Sequence, residues 1–246
     1  MALEQFAKPE RLYKYMSLET GCLVLNDGTL KFSYPRNFED TSDCSLDRVY
    51  FDVTCKNLDP LVKEDLQLLI PEFLHLNLTP ELLNKAYRKR REALAEECGV
   101  TCFTLNPKHD LMWRKYGDDH NGVCLEFDNS IKENEKFPNL SVGISNHVRY
   151  GLDQSVNYCE NKRLGTAMQF LSKRIEYKYE MEYRLVTKSG EGVYSFSPQF
   201  LSGVIFGAKV SKTDRENIIT ICRKRYSDLK FQIAVFQGEE VEYFHL

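Results

Sequence analysis

Residues 176–185 alternate strictly. Glu176, Lys178, Glu180, Glu182 and Arg184 are charged, and Tyr177, Tyr179, Met181, Tyr183 and Leu185 between them are aromatic or aliphatic. Successive side chains of extended backbone point to opposite faces, so this period of two predicts a strand with an apolar core face and a charged face. Glu180 and Glu182 then fall on one face, roughly 7 Å apart. That spacing lets both ionise and lets both reach one ligand. An ordinary antiparallel strand with one face in water carries the same pattern, so it fits a solvated surface as well as a site.

Shorter apolar or alternating runs predict strands at 12–16, 29–34, 100–105, 123–127, around 147–150, and at 193–196, 201–206, 229–236 and 241–245. Ser17 is placed to cap a helix through Leu25, which Asn26-Asp27-Gly28 ends. Val62, Leu66 and Leu69 keep helical spacing as far as Pro71, and Thr79-Pro80-Glu81 opens a second helix that Gly99 terminates. Asp110 caps a short helix over 111–116, a further helix spans about 158–175, and Ser211 starts one through about 226. Lys188 to Gly192 reads as a hairpin-type turn into the strand at 193–196. No repeat or linker interrupts the pattern. The expectation is one α+β domain over 1–246: a mostly antiparallel mixed sheet with flanking helices and a helical insertion at about 58–98.

Composition narrows the function classes. The net charge of −3 argues against a protein that coats nucleic acid through general basicity, although Arg88-Lys89-Arg90-Arg91 remains a local basic run. Met1 to Arg11 has no apolar stretch of leader length and nothing later approaches a membrane span, so a cytoplasmic protein with reduced cysteines is expected. The eight cysteines form no CxxC pair, and none of the five histidines pairs at ligand spacing; no metal is expected.

Nucleophile elbow, Walker A and HExxH motifs are absent. Two carboxylates on one strand also fit poorly with a glycosidase pair, which flanks a sugar from different elements. The single Trp, Trp113, with Tyr116 and His120 after it, lies in the crossover between two predicted strands, where sites are commonly built. Burial of one helix face by Trp113 and Tyr116 explains the same spacing.

Several blocks occur in a fixed order: Leu12-Tyr13-Lys14-Tyr15, Leu30-Lys31-Phe32-Ser33-Tyr34-Pro35, Phe38-Glu39-Asp40, Cys102-Phe103-Thr104, Met112-Trp113-Arg114-Lys115-Tyr116, His120-Asn121-Gly122-Val123-Cys124 and Tyr179-Glu180-Met181-Glu182-Tyr183-Arg184. Together they resemble a bacterial family of uncharacterised domains, covering most of the chain outside 45–98. Glu39 and Thr104 stand where that family more often has Asn and Ser. A toxin or defence setting would suit such a family. A more distant likeness is to ADP-ribosyltransferases of the arginine-serine-glutamate type, with Lys14, Ser33 and Glu180-Met181-Glu182 in that order. That likeness implies NAD as substrate, Glu182 on the nicotinamide ribose and Glu180 serving an acceptor macromolecule. It further implies ring stacking by Phe103, Trp113 or Tyr116, pyrophosphate contacts from Lys14, Arg149 or Arg184, and substrate contacts from Tyr15 and His120. The alternatives are a binding module that holds a nucleotide or partner without turnover, and a nucleic-acid end-processing activity using the Arg88–Arg91 run.

Overall fold

The computed structural model describes residues 7–40, 42–73, 79–151, 154–237 and 240–246. Residues 1–6, Thr41 of the predicted polar loop and the side chain of Leu69 lie outside the described residues. An eight-stranded sheet organises the molecule. Its order across the sheet is Glu240–His245, Lys230–Gln237, Leu201–Phe206, Val123–Asp128, Arg11–Met16, Gly99–Thr104, Glu182–Thr187 and Val142–His147. All pairings are antiparallel except that of Leu201–Phe206 with Lys230–Gln237. This is the expected α+β class with a mostly antiparallel mixed sheet.

The helices form where the caps lie. Ser17 accepts a hydrogen bond from the Thr20 amide, and Gly28 (φ 64°) closes Leu18–Asp27 in the left-handed region that glycine adopts without strain. Thr79 caps Pro80–Glu97 through the Leu82 amide. Helices Leu18–Asp27 and Lys212–Arg223 contribute Leu25, Ile218 and Cys222 to the main core, with Phe32, Phe103, Phe127 and Phe200. Pro60–Phe73 and Lys162–Leu171 join a smaller core around Tyr87 and Tyr158.

Four local expectations need correction. The alternating segment is not one strand: Ile175–Glu180 is a 3-10 helix, Met181 takes a left-handed conformation (φ 41°), and the strand runs Glu182–Thr187. Nor does its charged face meet water along the strand: Glu180, Glu182 and Arg184 are buried, as are Tyr183 and Leu185 opposite, while Met181 is 45% exposed. The cause is position: the strand has neighbours on both sides and is covered on both faces, so its charges are internal and must be paired. The 188–192 turn makes no hairpin with that strand, because both its edges are occupied; Gly192–Ser195 pairs with Thr29–Phe32 in a separate two-stranded sheet. The helix expected over 158–175 is shorter, Lys162–Leu171, since Asn161 caps it and Ser172 is already extended. The helix opened by Pro60 continues through Pro71 to Phe73.

Candidate functional site

The two central strands Arg11–Met16 and Gly99–Thr104 share one register pair, Tyr13 with Thr104. Residues of both strands line a cavity of about 320 Å³ there. That volume lies at the small end of ligand sites. The walls are aromatic and acidic: Tyr13, Phe38, Phe103 and Tyr177 face it together with Asp43, Glu180 and Glu182. A second, more open concavity of about 470 Å³ beside strand Val142–His147 contains no carboxylate.

The acids enter the cavity from two directions. Met181, held left-handed, sits between the 3-10 turn that ends at Glu180 and the strand that begins at Glu182. The Glu182 amide donates to the Tyr150 hydroxyl at 2.7 Å, which pins the junction. Asp43 arrives on the loop after Pro35–Asn37. Among the three carboxylates lies the Lys173 ammonium, 2.6 Å from Glu180, 3.4 Å from Glu182 and 3.3 Å from Asp43. Arg184 closes the cluster from behind, donating to both Glu182 oxygens at 3.1 and 2.8 Å and to Asp43 at 2.9 Å. Its remaining donors reach the Phe170 carbonyl and Cys44 Sγ. On the other side, the Tyr116 hydroxyl donates to Glu180 Oε1 at 2.7 Å, and Lys115 lies 3.8 Å from both Glu180 and the exposed Glu39. Among the described residues no group of three His, Cys, Asp or Glu is placed to hold a metal ion.

Burial and pairing set the charge states. Burial opposes ionisation of Glu182, but the adjacent Arg184 and Lys173 outweigh it and hold the carboxyl at about 2. Lys173 also suffers from burial, yet Glu182, Asp43 and Glu180 raise it above the ordinary ammonium value. Burial, reinforced by the bond to Glu180, raises the Tyr116 phenol, which therefore stays a donor. The Cys102 thiol is raised by burial and by Glu182 beside it. Lys14 moves the other way: burial lowers it, against the pull of Glu182.

Of the residues singled out in the sequence, Lys14, Tyr15, Phe103, Tyr116, Glu180 and Glu182 line this one cavity. Four do not. Trp113 is fully buried behind Tyr15, edge-on to its ring at 4.9 Å, so it supports the wall without touching the space. Ser33 is spent on backbone pairing with Val100 and lies outside the lining. His120, third in a run of left-handed residues, packs on Phe236 at 4.3 Å and has its Nε2 3.4 Å from Asp110. Arg184 is sealed beneath Glu182, where it cannot meet a phosphate. The Arg88–Arg91 run is also elsewhere: Arg88 pairs with Glu92, and Arg91 bonds Gln169 and covers Tyr158.

Sequence reasoning missed Lys173 and Asp43. Lys173 looked like one more residue of an overlong helix. Asp43 follows the Phe38-Glu39-Asp40 block but carried no signal of its own. A buried cluster of acids demanded a partner cation, yet the alternation placed those acids in water.

Residues 112–185 match the model of a family described as a protein of unknown function (DUF2971). That stretch contains the Met112-to-Tyr116, His120-to-Cys124 and Tyr179-to-Arg184 blocks, and the match supports the resemblance to an uncharacterised family. No curated protein and no solved structure matches the chain.

Proposed function

We propose that the cavity takes the nicotinamide-ribose half of NAD and that the chain acts as an ADP-ribosyltransferase-like enzyme. The observation that carries this reading is the meeting of Glu180 and Glu182 in one aromatic-walled, water-poor space. The nicotinamide ring of NAD is cationic, and its departure leaves positive character on the ribose. Fixed carboxylates in a low-dielectric site favour both the bound cation and that transition state. Glu182, held near 2, is ionised at any working pH and is fixed by Arg184, so it supplies a permanent, oriented negative charge. Tyr13, Phe103 and Tyr177 offer ring faces. Lys115, 31% exposed beside the solvent-facing Glu39, marks the mouth, where the diphosphate would remain partly hydrated. Glu180, bonded to Tyr116 and near Lys115, stands toward the side from which an acceptor would enter and is the group assigned to orient or deprotonate it.

One observation favours the second reading, a binding module. Both Glu182 oxygens are already engaged by Arg184, and Lys173 is also close to one of them, so a ligand meets a nearly neutral group. Incubation with NAD labelled in the adenosine separates the readings. The enzyme releases nicotinamide and passes label to protein or nucleic acid, and Glu182→Gln or Glu180→Gln lowers the rate about 100-fold or more, the usual effect of losing one oriented electrostatic group. Saturable NAD binding without nicotinamide release identifies the module. Neither binding nor release removes NAD from both.

A further inference from the structure

The three cations that line the cavity and Arg184 behind it are not alike. Arg184 is bonded to Glu182 and Asp43, Lys173 contacts three carboxylates, and Lys115 lies between Glu39 and Glu180. Among the described residues Lys14 has no carboxylate within 4 Å; its Nζ donates to the backbone carbonyl of Cys102 at 2.7 Å and sits 5.5 Å from the centre of the Phe103 ring. The Cys102 carbonyl belongs to the strand that shares just one register pair with Arg11–Met16, and the side chain of Lys14 bridges the two strands. An amine so placed lines the cavity, is partly buried, and feels Glu182 only from beyond ion-pair contact.

Two roles suit such an amine: a charged anchor for an anion, or an uncharged nucleophile. The walls decide between them. Five carboxylates, Glu39, Asp40, Asp43, Glu180 and Glu182, face the cavity against three amines, and two of those amines are already in ion pairs, so an anion has little to gain inside. We propose that Lys14 Nζ is a nucleophilic amine that condenses with a small aromatic aldehyde held against Phe103 and Tyr13. The Nζ lone pair attacks the carbonyl carbon, both nitrogen protons leave with the carbonyl oxygen as water, and a carbon–nitrogen double bond remains. No oxidant or metal enters the balance. An amine drawn partly out of water with no carboxylate in contact is the arrangement that makes a lysine nucleophilic near neutral pH, and the downward displacement of Lys14 by desolvation agrees with it. The proposal does not depend on NAD.

The test treats the full chain with benzaldehyde and cyanoborohydride at pH 6.5, digests it, and maps the resulting benzylated lysines by mass spectrometry. An ordinary lysine is only about one part in ten thousand uncharged there. Lys14 is expected to be labelled at least about tenfold faster than exposed lysines such as Lys31 or Lys212, whose side chains are 64% and 82% exposed. Lys115→Arg should leave that labelling intact, and Lys14→Arg should abolish the fast-labelled site. Labelling of Lys14 at the rate of the surface lysines, or no labelling of Lys14, overturns the proposal; both outcomes are read on the unaltered chain, so neither depends on a variant folding.

Discussion

Arg184 is fully buried and touches two carboxylates, a carbonyl and a thiol, so its worth is best judged by what its loss would strand. Arg184→Ala leaves Glu182 and Asp43 buried beside a single ammonium, and breaking a buried pair from one side costs about 3–5 kcal/mol. Urea unfolding should show that loss, and Arg184→Lys should recover only part of it because an ammonium cannot reproduce the two-pronged contact. Glu182 carries the pH dependence. Its folded value, about 2, lies below the ordinary 4.5, so the folded state binds this proton less readily than the unfolded chain does. The stabilisation is therefore full above about pH 4.5 and fades as pH falls toward 2. The stability difference between the native chain and Glu182→Gln should shrink across that window in acid titrations followed by circular dichroism; a constant difference would contradict the assignment. Tyr116→Phe removes a hydrogen bond to a carboxylate and should cost about 1.5–3 kcal/mol with little change in packing.

At the scale of the element, the junction between the 3-10 turn and strand Glu182–Thr187 is the feature that the site depends on. A non-glycine residue at φ 41° is uncommon, and Met181 holds it where Glu180 turns in toward Tyr116 and Lys173 while its own side chain points partly to water. The backbone on either side is fixed, with the Leu105 amide donating to the Met181 carbonyl at 3.0 Å and the Val148 amide to the Glu182 carbonyl at 2.8 Å. Met181→Gly should be neutral or slightly stabilising, since glycine enters this region freely. Met181→Ile places a β-branched residue there and should cost about 1–3 kcal/mol. Thermal melts of the two variants should therefore move apart; equal melting temperatures would mean that the junction stores no strain.

For the whole molecule, the site is assembled from distant parts of the chain: the opening strand, the Phe38–Asp43 loop, the strand at 99–104, the short helix at 110–116 and the segment 173–182. The strand Arg11–Met16 lies between two others and carries residues from both the main core and the Trp113 cluster, while Val142–His147 is an edge strand. Amides of Leu12 to Met16 should thus exchange with deuterium only through near-global opening, and those on the free edge of Val142–His147 orders of magnitude faster; comparable protection in the two would show that the sheet does not open from that edge. Local chemistry that acts within a few residues was legible in the sequence. The caps at Ser17, Thr79 and Ser211, the stop at Gly28 and most strands follow from neighbours along the chain, and so does the mixed α+β class. Six cavity residues were also legible as candidates, because strand alternation and short blocks single them out. Which way the charges face was not. Alternation says that Glu180, Glu182 and Arg184 share a side, but whether that side meets water or a buried cation depends on how many strands lie beyond it. Asp43 joins those acids from more than 130 residues away, and no local pattern encodes that distance; Lys173 is only seven residues before Glu180, but the helix expected through 175 hid its return to them. The sequence alone determined most of the elements and singled out the two acids; the tertiary structure decided that they meet and are buried, because only packing sets the dielectric around a charge.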